Sequence, residues 1–550
     1  FASYSHATAE NFVGPGRNRK NHVDFRVQKD WSDSSRSTFF VSYDQLYNSR
    51  LPILNRVQAI DGIKNDRLEA YSFSENYVPG VTVQYAPLNA GRVKNLLITN
   101  NNEVSLSPDI TLHVTPYYKW NDTNAPSQSR LSATTLFAGN RRVTPAIDPS
   151  LLQNGFIVTA ANTAYNHYSA GVNSYVDAKL SSSNTLSVGY WFQRTSLDYR
   201  QFLQPVDQQG NIRGLGAETA LRATDGTLIT GVNDTIKTTT HQLFVGDTQT
   251  FLDGRLALTL GFKQLFWKAN VENYVIGAPP EVRASWSRFM PRFLASFKID
   301  ENNQLYGNVT TNARMPLPQA TYITQYSVST GNTTAVGNTG IKPEYTTSAQ
   351  IGYRYDGFIH LDVAAFLMKL KDHQVQGTQF VNGFLQTTAL VAGDETIRGV
   401  SVEASTRSYY GFSLYGNAQY LDAKFDDDLP LRGDVLPIAG KDMVLSPRWI
   451  ANLGGRFESG GFYASLTYKY VGRQFSTFIN DETIPRFQTF DAAMGYKLPD
   501  IGALKSPVIR FTVTNIGNKP YISTLAAPQP NAVATRGVNG TLLPGVAPTY

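Results

Sequence analysis

The feature that most restricts this chain is an alternation of apolar and polar residues, sustained over runs of about ten positions and repeated along its length. Phe462, Ala464, Leu466, Tyr468 and Tyr470 share one face of an extended segment, and Tyr463, Ser465, Thr467 and Lys469 share the other. The same period recurs from Leu256 to Lys263, Phe412 to Tyr420, Phe490 to Leu498 and Ile509 to Thr514. Strands of soluble proteins cluster at about five to six residues, whereas a tilted strand crossing hydrocarbon needs about nine to eleven. The wetter faces carry Gly, Ser, Thr, Gln, Lys and Arg, where a sandwich interior would want Val, Ile and Leu. The apolar rows are therefore predicted to face lipid and the wetter rows to surround a lumen.

Connections of two sizes alternate between these runs. Short ones hold ordinary turn residues: Ser181 to Asn184, Asp253-Gly254, Asp300 to Asn303, Asp356-Gly357 and Glu458 to Gly461. Long ones are expected at roughly residues 121 to 164, 197 to 237, 314 to 344, 425 to 446 and 516 to 550. Short turns on one side and long loops on the other describe an outer-membrane barrel. The predicted fold is all-β: a transmembrane antiparallel β-barrel of about 22 strands with short periplasmic turns and long extracellular loops. About twenty-one candidate strands can be counted, the weakest between Glu69 and Asn95. An even total calls for one further strand after Tyr550. The stretch from Thr541 to Tyr550 does not alternate and holds two prolines, so it reads as loop.

Composition removes other classes. Charged residues are 17% and aromatics 12%, with Tyr 30 and Phe 30 supplying most of the latter, which is unlike a disordered chain. With Cys 0, thiolate metal sites, CxxC chemistry and disulfides are excluded. No apolar stretch reaches the length of a spanning helix. A formal charge of +6 without a basic run does not argue for nucleic acid. Tyr117, Tyr118, Trp120, Tyr190, Trp191, Trp267 and Trp449 fall near predicted strand ends and suit the aromatic girdles of such a barrel.

Three stretches carry a resemblance. Gly340-Ile341-Lys342-Pro343-Glu344 followed by Gln350-Ile351-Gly352-Tyr353-Arg354-Tyr355, then Asp394 to Glu403 around Arg398-Gly399-Val400, then Thr514-Asn515-Ile516-Gly517-Asn518-Lys519-Pro520-Tyr521 occur in this order. They resemble the loop exits and strand ends of the transmembrane barrel of TonB-dependent outer-membrane receptors, with Gln350 where Glu is usual and Glu403 shifting an acidic position. The resemblance covers mainly the second half, from about Tyr306. It implies an integral protein of the bacterial outer membrane. It also implies active import of a scarce nutrient, most aptly a ferric siderophore or similar metal chelate, with energy from the TonB-ExbB-ExbD complex. Members carry an N-terminal plug that fills the lumen. The expectation is that residues 1–550 are a barrel without that plug and without the closing C-terminal strand.

For such a protein no enzyme chemistry, resident cofactor or metal is expected. None of the seven His falls at HExxH spacing, and GxSxG and P-loop patterns are missing from the sequence. Lys371-Asp372-His373 and Tyr165-Asn166-His167-Tyr168 read as surface histidines sooner than metal ligands. Asp426-Asp427-Asp428 reads as a solvated charge run sooner than a Ca²⁺ cluster. Ligand contact is expected in the outer loops, from Arg141, Arg142, Tyr199, Arg200, Arg314, Tyr322 and Tyr326, with Arg213 and Arg222 nearby. Guanidinium forks and phenol groups suit anionic, oxygen-rich chelates. The competing role of each is loop packing or contact with lipopolysaccharide. Two other readings of the chain are a passive channel and a soluble β-rich adhesin or propeller.

Overall fold

Long alternating runs separated by tight turns leave the backbone one economical solution, which is to pair each run with the next. The computed structural model describes residues 1–11, 14–50, 54, 56–65, 67–82, 84–381, 384–391, 393–431, 434–502, 505–525, 528–532 and 546–548. One sheet of twenty strands contains nineteen long strands plus the two-residue piece Leu152–Gln153. Each long strand pairs antiparallel with its neighbours in sequence.

The first strands are β1 (Ala2–Glu10), β2 (Arg17–Ser32), β3 (Ser35–Ser49), β4 (Ala90–Ser107) and β5 (Ile110–Ser132). Next come β6 (Phe156–Ser181), β7 (Asn184–Pro205), β8 (Asn233–Phe251), β9 (Leu256–Asn273), β10 (Glu281–Lys298) and β11 (Asn303–Arg314). They are followed by β12 (Glu344–Asp356), β13 (Ile359–Lys371), β14 (Glu395–Thr406), β15 (Phe412–Phe425), β16 (Trp449–Ser459), β17 (Phe462–Val471), β18 (Phe487–Lys497) and β19 (Val508–Val513). The predicted short turns all connect paired strands, and the opposite ends carry the long loops.

Nineteen long strands stand where about twenty-one candidates were expected. The weak region contributes no extra pair before Ala90. The connection from β3 to β4 instead holds helix α1 (Arg56–Lys64) and two 3₁₀ turns, Leu68–Tyr71 and Ala86–Asn89. Among the described residues β1 pairs only with β2, and β19 only with β18. Because the long strands among the described residues are odd in number, β1 and β19 run in the same direction. The final stretch lies largely outside the described residues, although Val546–Pro548 pairs with Ile522–Leu525 beyond the barrel wall.

The two faces are as the alternation predicts. Leu260, Ile351 and Leu453 are 62%, 67% and 59% exposed in the middle of strands. Register joins Leu453 to Tyr468 and Tyr468 to Phe490 in one outward row. An apolar belt of this extent is untenable in water and natural against hydrocarbon. The other face is polar and cross-linked. Tyr117 donates to Gln193 Oε1 (2.7 Å), Trp191 Nε1 to Tyr117 Oη (2.8 Å), Asn452 Nδ2 to Asn417 Oδ1 (2.9 Å), and Arg354 to Asp362 (3.0 Å). Gly399, on the inward face, is where a close approach needs a missing side chain, because a Cβ there would meet the Tyr420 carbonyl and sit 2.7 Å from the Phe366 ring.

Of the expected girdle, Tyr118, Trp120, Tyr190 and Trp449 share the faces of the exposed apolar rows. Tyr117, Trp191 and Trp267 fall on the opposite, inward face. Two consecutive residues of a strand cannot both face lipid, so Tyr117-Tyr118 and Tyr190-Trp191 each split one in and one out.

Wall height is uneven. β5, β6 and β7 have 23, 26 and 22 residues, whereas β16 and β17 have 11 and 10. The longer strands continue well above the hydrocarbon, so much of what reads as loop between 121 and 164 and between 197 and 237 is strand.

Candidate ligand-facing rim of the barrel

On the tall side the wall itself gives the loops something to bury against. Loops 133–155 and 206–232 close over β6 and β7 through Leu136, Ile157, Ala161, Leu203, Leu221 and Ile229. Loop 315–343 folds inward onto β8 and β9, where Tyr322 and Ile323 pack with Ile236, Trp267, Ala269 and Val271. Trp286 Nε1 donates to the Tyr322 hydroxyl at 3.3 Å, and the Trp267 and Tyr322 rings lie 6.4 Å apart. The upper mouth is thus partly roofed from within.

The seven expected ligand residues occupy different surfaces. Arg141 is exposed and ties its loop to the next, donating to Asp225 Oδ2 (3.0 Å) and Thr227 Oγ1 (2.6 Å). Arg142 is exposed beside Thr135. Arg314 stands at the top of β11, 3.6 Å from Glu344. Arg200 follows the parity of exposed Val188 and so lies on the outer face, 3.4 Å from Asp198. Tyr199 faces inward and stacks on Tyr165 with ring centroids 4.8 Å apart. Tyr322 and Tyr326 are buried in the roof, the latter donating to the Gly277 carbonyl at 2.7 Å. Arg222 donates to the Gly226 carbonyl within its own loop.

Beneath the roof is a group that alternation alone does not reveal. Asp234, at the start of β8 and in register with Tyr199 and Asn273, is fully buried, and neither carboxylate oxygen has a donor among the described residues. Burial pushes its carboxyl up to about 7. Burial likewise pushes the Tyr199 phenol upward, with Tyr165 adding to the effect.

The low side is held differently. Arg314, Glu344, His373 and Glu395 form a row of alternating charge at the tops of β11, β12, β13 and β14. His373 Nε2 lies 3.8 Å from Glu344, and its Nδ1 lies 2.5 Å from Glu395, although this short contact is not aligned as a hydrogen bond. The carboxylates approach opposite ring nitrogens, so they cannot join the ring on one metal ion. Burial pulls the His373 imidazole down, but Glu395 and Glu344 outweigh it and the net direction is up. Burial pushes Glu395 up, with His373 opposing only in part. His373, read as a surface residue, has a side chain only 16% exposed and stands at the base of the hairpin Gln374–Val381 and Phe384–Val391. The motif residue Glu344 accepts from the Gln374 amide at 3.2 Å, and Lys342 O accepts from its side chain at 3.0 Å.

The Asp426 to Asp428 run serves as structure. Asp426 accepts from Thr396 Oγ1, Asp427 from the Asp394 amide, and Asp428 from the Ile438 and Ala439 amides. Among the described residues no group of three or more His, Asp or Glu could hold a metal ion. Nor, among the described residues, is any helix long and apolar enough to cross a membrane.

A wall of alternating strands with a polar interior, an apolar belt and inward-folded outer loops has a family match. The model of the family "TonB dependent receptor-like, beta-barrel" matches residues 4–516. The chain belongs to this family. Its members are integral outer-membrane proteins, and the apolar belt is accordingly the lipid-facing surface. They are nutrient importers, a class of receptors and transporters, and the family does not favour the passive-channel alternative. The unliganded ferric citrate transporter FecA is similar in fold at 13% identity, with TM-score 0.67, covering 100% of this chain and 71% of that one. The siderophore receptor PiuA from Acinetobacter baumannii is 14% identical, with TM-score 0.63, over 92% of this chain and 71% of its own. The copper transporter OprC is 14% identical, with TM-score 0.64, over 94% and 72%. Among curated proteins none matches the chain.

Proposed function

We propose that this chain forms the barrel of an importer for an anionic metal chelate, of the ferric siderophore or ferric citrate class. Energy would be delivered by the TonB-ExbB-ExbD complex through a plug segment working inside the lumen. One observation carries the reading: the tall-side loops fold inward over a polar lumen and leave Arg141 and Arg142 exposed on the roof, with Arg314 on the rim. Guanidinium groups in that position suit carboxylate, catecholate or hydroxamate oxygens. The titles of the structural neighbours, which name ferric citrate, siderophore and copper transport, give support of the same kind.

The test is binding and uptake with a panel of ferric citrate and chemically distinct ferric siderophores, using the full protein in outer-membrane vesicles. One chelate should bind saturably, and the double variant Arg141→Ala with Arg142→Ala should weaken it by about tenfold. A large steady conductance from the full protein in a planar bilayer, with no saturable chelate binding, would overturn the importer reading.

A further inference from the structure

The low side encloses a cavity that the charge row does not touch. It has a volume of about 530 Å³ and lies at the upper end of β18, between the last turn of α1 and the segment 519–522 that follows β19. Sites for small molecules commonly fall between about 300 and 1,000 Å³. Its back wall is fixed, because Ala59 of α1 belongs to one cluster with buried Ile484 and Ile522, and Ile63 packs against that cluster. Ile60, Ile63, Pro485 and Pro520 supply apolar lining. Phe487 and Tyr521 line the cavity as well, and their rings stack with centroids 4.1 Å apart and planes at 16°. A flat ring entering beside that pair meets aromatic surface, with which offset stacking is favourable.

The charged groups around it are all of one sign. Lys64, Arg486 and Lys519 line the cavity, all three are exposed, and none makes an ion pair with a described residue. No Asp or Glu lines it. The adjoining cavity of about 590 Å³ shares Tyr470, Pro485 and Arg486 but has a carboxylate of its own, Asp442, which takes Arg448 at 2.9 and 3.1 Å. Charge is answered in that cavity and unanswered in this one. Two neutral groups complete the set. Gln488 accepts from the Tyr468 hydroxyl through Oε1 at 3.0 Å, which leaves its amide N–H groups open, and the Tyr470 hydroxyl has no partner among the described residues.

An occupant that answers every side of this cavity is anionic at the exposed end and flat and apolar within. An acyl chain suits the apolar lining and leaves three cations unanswered, and inorganic phosphate does the reverse. A small aliphatic acid meets both but gains nothing from the stacked pair. We propose that this cavity binds a small aryl carboxylate, with its ring against Phe487 and Tyr521 and its carboxylate between Arg486, Lys519 and Lys64. Hydroxyl groups on the ring meet Gln488 and Tyr470. The same chemistry comes from two sources, a metal-free aromatic acid and the aryl carboxylate end of a metal chelate. The site stands independently of the importer reading.

The full protein in neutral detergent is titrated by calorimetry with metal-free 2,3-dihydroxybenzoate. Two controls accompany it: catechol, which lacks the carboxylate, and cyclohexanecarboxylate, which lacks the aromatic ring. The acid should bind saturably, catechol about tenfold more weakly and cyclohexanecarboxylate about fivefold more weakly. The double variant Arg486→Gln with Lys519→Gln should lose about tenfold and Tyr521→Leu about fivefold, while Arg141→Ala with Arg142→Ala should lose nothing. Heat-dependent gel mobility of the barrel should be unchanged in all of them, which excludes misfolding as the cause. The ferric complex of the same acid separates the sources. Competition by that complex, lost in the Arg486 and Lys519 double variant, assigns the site to the end of a chelate, and binding of the metal-free acid without competition assigns it to the free acid. No saturable binding, a control that binds as tightly as the acid, an unaltered double variant, or a co-purified acyl lipid that the acid displaces in native mass spectrometry would each overturn the proposal. Lost chelate uptake with this binding intact would count against the importer reading alone.

Discussion

The tall and the low sides of this barrel solve one problem in two ways. Above the hydrocarbon, β5 to β10 continue as strands, and their inward faces offer Ile157, Leu203, Trp267 and Val271 for loops to bury against. The loops there are held mainly by apolar contact. The shorter β12 to β14 offer little wall, and the base of the hairpin 374–391 is held by the row Arg314, Glu344, His373 and Glu395. The low side has an apolar knot of its own, Phe425, Leu429, Ile438 and Phe478, but it lies under the neighbouring loop 426–448. Strand length above the membrane thus decides how a loop is fastened. Apolar fastening tolerates salt and pH, and charge fastening does not.

The largest effect should come from undoing an apolar fastening. Tyr322→Ala removes a fully buried ring from the Trp267, Trp286 and Ile236 cluster, at roughly 3–5 kcal/mol. Hydrogen exchange should show amides of 315–343 losing protection while those of 374–391 keep theirs. Tyr322→Phe should cost only about 1 kcal/mol, since it deletes a single acceptor for Trp286. Similar losses in both variants would show that the hydroxyl, and not the ring, holds the roof.

His373→Ala is the matching lesion on the low side, and roughly 2–3 kcal/mol is expected, because it strips the buried Glu395 of its cation. The sign of the pH effect follows from both shifts being upward. A group held more protonated in the folded state contributes stability that is complete below its unfolded value and lost as pH rises through the folded one. For Glu395 that loss extends above the usual carboxylate range, and for His373 it extends past the usual imidazole range. Exchange in the amides flanking His373 should therefore accelerate between mildly acidic and alkaline pH in the wild type, whereas His373→Ala should lose the imidazole part of that profile and keep the part that belongs to the buried Glu395. A flat wild-type profile would show that the charge row does not fasten the hairpin.

What could be read from the sequence tracks what a residue's neighbours along the strand can reveal. Phe462 to Tyr470 identifies its strand and both faces because lipid on one side and water on the other imprint the alternation. Gly340 to Glu344 locates the start of β12, and Asn515, which brackets the Lys519 backbone by two hydrogen bonds, follows the end of β19. Asn121 to Gln128 looks like loop yet is strand, because above the hydrocarbon both faces are wet and no alternation is imposed. His373 looked like a surface residue because its partners Glu344 and Glu395 are distant in sequence and meet only once β12, β13 and β14 are in register.

Asp234 sharpens the comparison, because it places one charge-sensitive group under the otherwise apolar tall-side roof. Its carboxyl is held at about 7 by burial against an ordinary 3.8, so its contribution is complete below pH ~4 and lost as pH rises through ~7. Asp234→Asn keeps the shape without the ionisation. It should stabilise the roof by about 1–2 kcal/mol at pH 8 and by almost nothing at pH 4. Thermal unfolding followed by Trp267 and Trp286 fluorescence at the two pH values measures the difference. A gain equal at both would mean that packing, not charge, is what Asn improves.

The smallest effect belongs to the exposed tie between the two tall-side loops. Arg141 meets Asp225 and Thr227 in good geometry, but both charged side chains are about half exposed, and a screened pair of that kind is worth at most about 1 kcal/mol. Arg141→Ala should leave roof protection nearly intact at physiological salt while weakening chelate binding. A roof that opens in this variant would mean that charge fastens the tall side as well, and the distinction between the two walls would fail. Intact protection with lost binding would assign Arg141 to the ligand rather than to the fold.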